Sequence, residues 1–436
     1  MTSIPSHIYR TLIRESFWLF LGIAGFTSVV LLDAWFIGRV GTQELIAVGF
    51  AGPVLIGCLN LLLALGTGIT ATIAPLIGQK RPISYSLFLT IGGLVGAGLA
   101  VILWLSWEQL FQWMRAPQDL VVTLAPYIYA YLPGLPVMGI LTAQISILRS
   151  WSSMKDAAIV LMVLCVVNAG LDPLLMFPAG LNLSGAAWAT TIAAVCAVFT
   201  ALFLLRKNDQ PGSKDATSRK ALLRTVASVA LPAAALRSLL PFATVWILRW
   251  ISSIDPDFAG AYGVGQRVDL FIMMLPLAIS SVASPRIGRS WGEGEGVMVR
   301  RWVNAAVHMV LVYGLLALGC LTIFGRMLAH IWGADDFFTE DLILYFHFMS
   351  FAFAGQGVFQ IVQNSFYALQ RARLSVIWSC VQVLIWLLIG GIAFKIDGGI
   401  SWILVAWPVS LTLAASGAYL HWQAGPGKQL SRETSP

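Results

Sequence analysis

The sequence predicts an all-α polytopic membrane protein of twelve transmembrane helices in two six-helix lobes. Three observations lead there. Of 436 residues, 58% are hydrophobic and only 11% charged, against about 25% charged in soluble domains. The apolar residues gather in unbroken runs long enough to cross a bilayer, which takes about 20 residues of helix. A single long polar interruption divides the runs six from six.

The twelve runs are 14–38, 45–75, 84–107, 119–148, 156–178, 184–206, 222–252, 259–285, 302–330, 342–369, 375–396 and 401–423. Barrel strands are short and alternate, so runs of this length exclude a β-barrel. The first run follows Arg10 and Arg14. It is too long for a cleavable signal and lacks a small-residue cleavage site, so it reads as a signal anchor.

Pro53, Pro126, Pro133, Pro136, Pro232, Pro241, Pro276 and Pro408 interrupt the spans. Membrane helices tolerate such breaks when neighbours satisfy the freed backbone groups. Packing irregularity is the ordinary reading of any one of them; together they suit helices that bend. Gly92, Gly93, Gly96 and Gly98 offer a close-packing face on the third span.

The polar interruption runs from Arg206 to Arg224. It implies an N-terminal lobe over 1–206, a cytoplasmic linker over 207–221 and a C-terminal lobe over 222–436. A weak internal repeat agrees: Leu45–Val54 aligns with Ala259–Val268, Thr70-Ala71 with Ser284-Pro285, and Gly78 with Gly292. Repeated halves are common in transporters, with the substrate site between them near the midplane.

Lys and Arg set the orientation. Loops on one side carry Arg10, Lys80, Arg149, Arg206, Lys220, Arg286, Arg300, Arg371 and Lys428, among others; those on the other carry only Arg39, Arg115, Arg326 and Lys395. Both termini are therefore expected in the cytoplasm, with the chain multi-pass in the inner (plasma) membrane. The net charge of +7 reflects this bias and does not indicate nucleic-acid binding. Cys58, Cys165, Cys196, Cys320 and Cys380 all lie inside apolar runs. Their odd number and irregular spacing indicate neither a disulfide framework nor a zinc site.

Against this background, polar groups inside spans stand out. A carboxylate there costs about 2.5–3.5 kcal/mol on insertion scales, and acids kept at that cost commonly serve ion or substrate movement. Asp172 sits in Asn168-Ala-Gly-Leu-Asp172-Pro173, four residues after Asn168, so one helical face carries both. Asp33 sits in Leu31-Leu-Asp33-Ala-Trp-Phe. If Asp33 and Asp172 share a pocket, they are placed to take up one proton. With Asn168 they could instead ligate a hard cation such as Na⁺. A structural polar cluster tying helices together is the plainer alternative.

Arg237, Arg267 and Asp269 lie within the seventh and eighth spans. Residues two apart point to different helix faces, so Arg267 and Asp269 do not pair. Arg237 and Asp269 are expected to form a structural ion pair, with a substrate-attracting role for Asp269 as the sharper alternative. Asn60, Gln144, Arg237 and Asp269 are the candidate substrate-cleft residues. His308 and His347 read as helix-contact residues, and Arg249 as snorkelling to an interface.

Several stretches together resemble the multidrug and toxic compound extrusion (MATE) family. They are Asp33-Ala-Trp-Phe-Ile-Gly38-Arg-Val-Gly41, Leu148–Lys155 followed by Asn168–Pro173, Gly185–Thr190, Ala261–Arg267 and Ser284-Pro285. The resemblance spans nearly the whole chain in order. It implies two six-helix lobes forming a V around a cleft. The activity it implies is export of organic, often cationic, compounds in exchange for inward H⁺ or Na⁺. In the DinF-like branch the coupling positions match Asp33, Asn168, Asp172 and Thr190, and the same four residues are the candidate metal ligands if Na⁺ is the coupling ion. The NorM-like branch uses acids on helices seven and ten; Leu240 occupies the former position, and 342–369 contains no acid. The sequence therefore sides with the DinF-like branch. It departs from that branch at Trp18, where a helix-bending proline is usual; Gly22 and Gly25 offer a softer hinge.

The implied protein is a monomer with small organic substrates, the bilayer as its surroundings, no nucleic-acid partner and no cofactor. Two rivals remain: a lipid-linked oligosaccharide flippase and, more remotely, a membrane-embedded prenyl-transferring enzyme using Asp335, Asp336 and Asp341.

Overall fold

The structure, a computed structural model, describes residues 4–81, 83–113, 118–207, 218–332, 336–396 and 398–425. The described residues form fourteen α-helices and no strand. They are α1 (Ser6–Val40), α2 (Thr42–Gly78), α3 (Tyr85–Trp113), α4 (Gln118–Tyr131), α5 (Gly134–Ser150), α6 (Met154–Met176) and α7 (Asn182–Lys207). There follow α8 (Arg219–Ile254), α9 (Pro256–Gly292), α10 (Gly296–Trp332), α11 (Asp336–Ser350), α12 (Ala352–Ala368), α13 (Ala372–Lys395) and α14 (Gly399–Ala424). Helix is dictated by the medium: no water is available in hydrocarbon, so each segment must satisfy its own backbone groups.

Ten helices are long and apolar enough to cross a membrane. Two further spans are broken: α4 meets α5 at 46°, and α11 meets α12 at 45°. With each bent pair counted once, the spans number twelve. The first break falls at Pro133-Gly134, where proline cannot donate to the preceding turn. The second has no proline. It falls at Phe351, just after Ser350, whose hydroxyl donates back to the carbonyl of His347 at 2.9 Å.

The chain divides into two compact units, Phe17–Ala234 and Met1–Ser16 with Ala235–Pro436. The expected boundary at 207–221 differs from this, and positions 208–217 of that linker lie outside the described residues. The first turns of α8 belong to the N-terminal unit because Val226 packs there: a Cβ on Gly68 would lie 2.7 Å from the Val226 carbonyl oxygen. The first turns of α1 belong to the C-terminal unit. Tyr9 hydrogen-bonds His308 at 3.2 Å, and Arg286 pairs with Glu15 at 3.0 Å.

The internal repeat extends to fine detail. Helices α2 and α9 are both 37 residues long, α5 and α12 both 17, and α7 and α14 both 26. Thr70 donates to the carbonyl of Ser146 at 3.5 Å, and its counterpart Ser284 donates to that of Asn364 at 3.5 Å. Helices α2 and α9 end in the same cap: Arg81 N–H bonds Leu76 O at 3.0 Å, and Glu295 N–H bonds Ser290 O at 2.9 Å. The cap needs a left-handed residue. Gly294 adopts it at φ 77°, whereas the first half places Lys80 there at φ 54°.

Between helices in lipid, close packing replaces the hydrophobic drive that water would supply. Small residues provide it in the N-terminal unit. A Cβ on Gly139 would lie 2.0 Å from the Gly92 carbonyl oxygen, and one on Gly96 would lie 2.3 Å from that of Leu135. Helices α3 and α5 thus touch backbone to backbone. Phe88, Leu141, Ile147, Val160 and Ala194 fill the core alongside. In the C-terminal unit the core is aromatic, with Phe258, Tyr345, Phe346, Phe353 and Trp386.

Candidate functional site

Two features of the N-terminal unit bring α1 and α7 onto α6. On α1, a Cβ at Gly22 would lie 3.3 Å from Ala158 Cα and 3.2 Å from Leu161 Cδ1; one at Gly25 would lie 3.6 Å from Cys165 Sγ. These glycines share a helical face with Asp33, at spacings of three to four residues and their multiples. The same contact line on α6 continues through Asn168 to Asp172. On α7, a Cβ at Gly185 would lie 2.8 Å from the backbone of Leu175 and Met176. The small Ala186, Ala189 and Ala193 continue that face.

Gly22 and Gly25 are contact points on a helix unbroken from Ser6 to Val40. Trp18, where the branch's proline would stand, lies under the Lys155 ammonium, 5.4 Å from its ring centroid.

The result is a polar cluster in an apolar surround. Asn168 Nδ2 donates to Asp172 Oδ1 at 3.2 Å and to Thr190 Oγ1 at 3.4 Å. Thr190 Oγ1 donates in turn to the carbonyl of Ala186 at 3.0 Å. Asp33 on α1 lies close enough to Asp172 for the two carboxyls to interact. Asp172 is fully shielded and Asn168 nearly so, at 0% and 3% exposure. Asp33 Oδ1 and Asp172 Oδ2 are buried and have no hydrogen-bond partner. Pro173 has no N–H to offer the carbonyl of Ala169 one turn back. Tyr127 and Cys165 stand close enough to feel their charge.

The structure thus brings Asp33, Asn168, Asp172 and Thr190 together. The other candidates are scattered. Gln144 is wholly buried, and its Nε2 donates to the carbonyl of Val198 on α7 at 3.3 Å. Asn60 is half-buried on α2 and makes no side-chain hydrogen bond among the described residues.

The expected ion pair between Arg237 and Asp269 does not form. Asp269 Oδ2 instead accepts a 2.5 Å hydrogen bond from Tyr345 on α11. Tyr345 packs edge-on against Tyr262, with ring centroids 5.4 Å apart, while Asp269 Oδ1 is buried without a partner. Arg237 lies within electrostatic range of Tyr367 on α12. Tyr345 and Tyr367 carry no sequence signal as partners, because each answers a residue many tens of positions away in the chain. Arg249 lies over Trp246 at 5.8 Å, and His347 makes edge contacts with Phe348 and Phe351. Asp335 lies outside the described residues. Among those described, no group of three or more His, Cys, Asp or Glu side chains could hold a metal ion.

The MatE family model matches residues 19–174 and again 232–391, once in each half of the repeat. The chain belongs to the MatE family. Relatives extend over nearly its full length. The FAD transporter of Shewanella oneidensis is 25% identical over 428 residues, 95% of this chain and 94% of that one. The multidrug export protein MepA of Staphylococcus aureus is 20% identical, covering 77% of this chain and 76% of its own. The crystal structure of the MATE transporter VcmN of Vibrio cholerae, in the bent form, superposes with a TM-score of 0.92 at 23% identity, over 98% of both chains. As a MatE protein the chain is a multi-pass membrane transporter and not an enzyme. That overturns the prenyl-transfer reading of Asp335, Asp336 and Asp341: the relatives are transporters.

Proposed function

We propose that this protein is a secondary antiporter of the DinF-like branch, exporting small organic compounds in exchange for inward H⁺. In this reading Asp33 and Asp172 carry the proton, and Asn168 and Thr190 hold the pair in position. One observation supports it above others. Asp33 Oδ1 and Asp172 Oδ2 are both buried and without a hydrogen-bond partner, and an unpartnered carboxyl oxygen keeps room to bind a proton.

Na⁺ is the second reading. The two carboxylates and the Asn168 and Thr190 oxygens form the kind of all-oxygen set that hard cations take. Against it, Asn168 presents its N–H₂ to Asp172 and Thr190, an arrangement that serves an acceptor and not a cation.

Each charge moved inward gains about 2.3 kcal/mol per 100 mV. At about 1.4 kcal/mol per decade, that sustains more than a tenfold substrate gradient. Exchange requires that ion and substrate favour opposite states; protonation of the pair favours the state that releases substrate outward. The FAD transporter and the multidrug export protein among the relatives support a cargo of small organic molecules. It works as a monomer in the inner membrane, with both termini cytoplasmic.

Counterflow in proteoliposomes across a chemically diverse panel, with pH and sodium gradients imposed separately, is the test. Transport should follow the pH gradient and be lost in Asp33→Asn and Asp172→Asn. Dependence on sodium alone would favour the Na⁺ reading. Unaltered transport in both variants would sink the acid pair as the coupling site. A lipid-linked saccharide accumulating in cells without the protein would favour the flippase.

A further inference from the structure

The N-terminal unit carries a pocket that shares no residue with the acid cluster. Trp104, Leu105, Trp107, Glu108 and Gln109 of α3 line it, with Tyr129 of α4, around a space of about 220 Å³. That is room for about seven water-sized groups, at about 30 Å³ each. The bent span opens it. Gly92, Gly96 and Gly139 hold α3 backbone to backbone against α5. At Pro133-Gly134 the chain turns by 46°, and α3 packs far less on α4 than on α5. Trp107 and Tyr129 span the gap, with ring centroids 5.8 Å apart and planes at 79°. Trp107 is nearly buried, whereas Trp104 and Tyr129 are open to the surroundings, at 55% and 47% exposure.

The depth of the pocket suits a membrane surface. Leu105 lies about 20 residues past Tyr85, where α3 begins. That is a rise of about 30 Å, the thickness of the hydrocarbon layer. Glu108 and Gln109 therefore stand at headgroup level, at the end of α3 away from Lys80 and Arg81; with both termini cytoplasmic, this is the outer leaflet. Leu94, Val101 and Leu105 are exposed, and at spacings of seven, four and three they share a helical face with Glu108. The apolar stripe from Leu94 to Leu105 is about 16 Å long, the depth of one leaflet. It ends on a carboxylate set among aromatic rings, and Glu108 has no ion pair or hydrogen bond among the described residues. The second half lacks this chemistry. A Cβ on Gly314 would meet Ala354 Cα as one on Gly96 would meet Pro136 Cα. That correspondence matches Trp107 with Gly325, Glu108 with Arg326 and Tyr129 with His347, and Arg326 is paired with Glu340 at 2.8 Å. The acid and its rings are thus particular to this site and not a consequence of the repeated fold.

We infer that this pocket binds a phospholipid whose headgroup carries an ammonium, with one acyl chain along the α3 stripe. Glu108 accepts hydrogen bonds from the ammonium, and the exposed rings of Trp104 and Tyr129 supply the aromatic surface that cations favour. The side-chain amide of Gln109, next to Glu108, has N–H groups to offer the phosphate that such a lipid carries beside its ammonium. The site lies wholly within the N-terminal unit and is independent of the coupling ion and of the cargo.

The test is native mass spectrometry of the full-length protein in detergent, titrated with phosphatidylethanolamine and with phosphatidylglycerol of the same acyl chains. The ethanolamine lipid should bind about fivefold or more tightly, as expected for one accessible ion pair reinforced by an aromatic ring. Glu108→Gln should bring the two lipids to equal affinity. Trp104→Leu should weaken the ethanolamine lipid alone, and Trp104→Phe, which keeps an aromatic face, should retain most of its binding. Glu340→Gln removes an exposed acid from the other unit and should leave the preference unchanged. No preference, a preference that survives Glu108→Gln, or an equal loss in Glu340→Gln overturns the inference. So does displacement of the lipid by free ethanolamine at matching concentration, because the occupant would then be a soluble cation. Asp33→Asn should leave the preference intact even where it abolishes transport, which separates failure of the antiport reading from failure of this one.

Discussion

Asp33 Oδ1 and Asp172 Oδ2 are buried with nothing to bond, and that fact separates the two meanings a polar cluster in lipid can have. A structural tie satisfies its members; removing one costs stability. A proton-carrying pair holds valence open for its cargo. Replacing a buried charge by a neutral group of like shape is often neutral or stabilising. Asp172→Asn is therefore expected to lower pH-driven transport by at least about tenfold while leaving the thermal midpoint unchanged or raised. A fall in the midpoint, read by dye-reported unfolding in detergent, would support the structural tie. Sequence made the acids conspicuous because hydrocarbon makes them costly. It could not show that Arg237 and Asp269 ignore each other, since Tyr345 and Tyr367 are ordinary residues until folding sets them opposite a charge.

At the scale of the helix, glycine has two roles here that look identical in sequence. Gly92, Gly96 and Gly139 bring α3 and α5 into backbone contact, and Gly22 and Gly25 do the same, more loosely, for α1 and α6. Gly98, in the same stretch as Gly92, meets nothing within 4 Å. Gly139→Leu should therefore destabilise the protein by about 1–3 kcal/mol through overpacking. Gly98→Ala should be neutral or stabilise it by up to about 1 kcal/mol, by restricting the unfolded chain. Thermal midpoints of the two variants measured side by side would check the contrast, and equal losses would refute it. The broken spans make a related point. Pro133-Gly134 announces the break between α4 and α5, whereas Phe351 gives no such notice of the break between α11 and α12. Only the repeat, which sets the two bends within a degree of one another at 46° and 45°, shows them to be one feature.

For the molecule as a whole, the repeat and the charge bias are the organising facts. The two halves are built to one plan, with matched helix lengths, caps and side-chain bonds, and each contributes an even number of spans. The Lys and Arg bias then orients both at once. Single cysteines introduced at positions 211 and 430 on a background lacking the five native ones should react with impermeant maleimide only from the cytoplasmic side, and one at Asp255 only from the outside. The reverse pattern would invert the assignment of inward and outward proton flow.

The sequence by itself determined the helical membrane fold, the number of spans, the repeat and the three polar residues Asp33, Asn168 and Asp172 on α1 and α6. Each of these is written in local composition or spacing, and hydrocarbon punishes departures from it residue by residue. The tertiary structure alone decided which charges meet. It set Asp33 against Asp172 through glycine contacts, turned Asp269 to Tyr345, and left Arg237 without an acid. Such pairings depend on which faces of distant helices come together, and no short-range pattern along the chain records that.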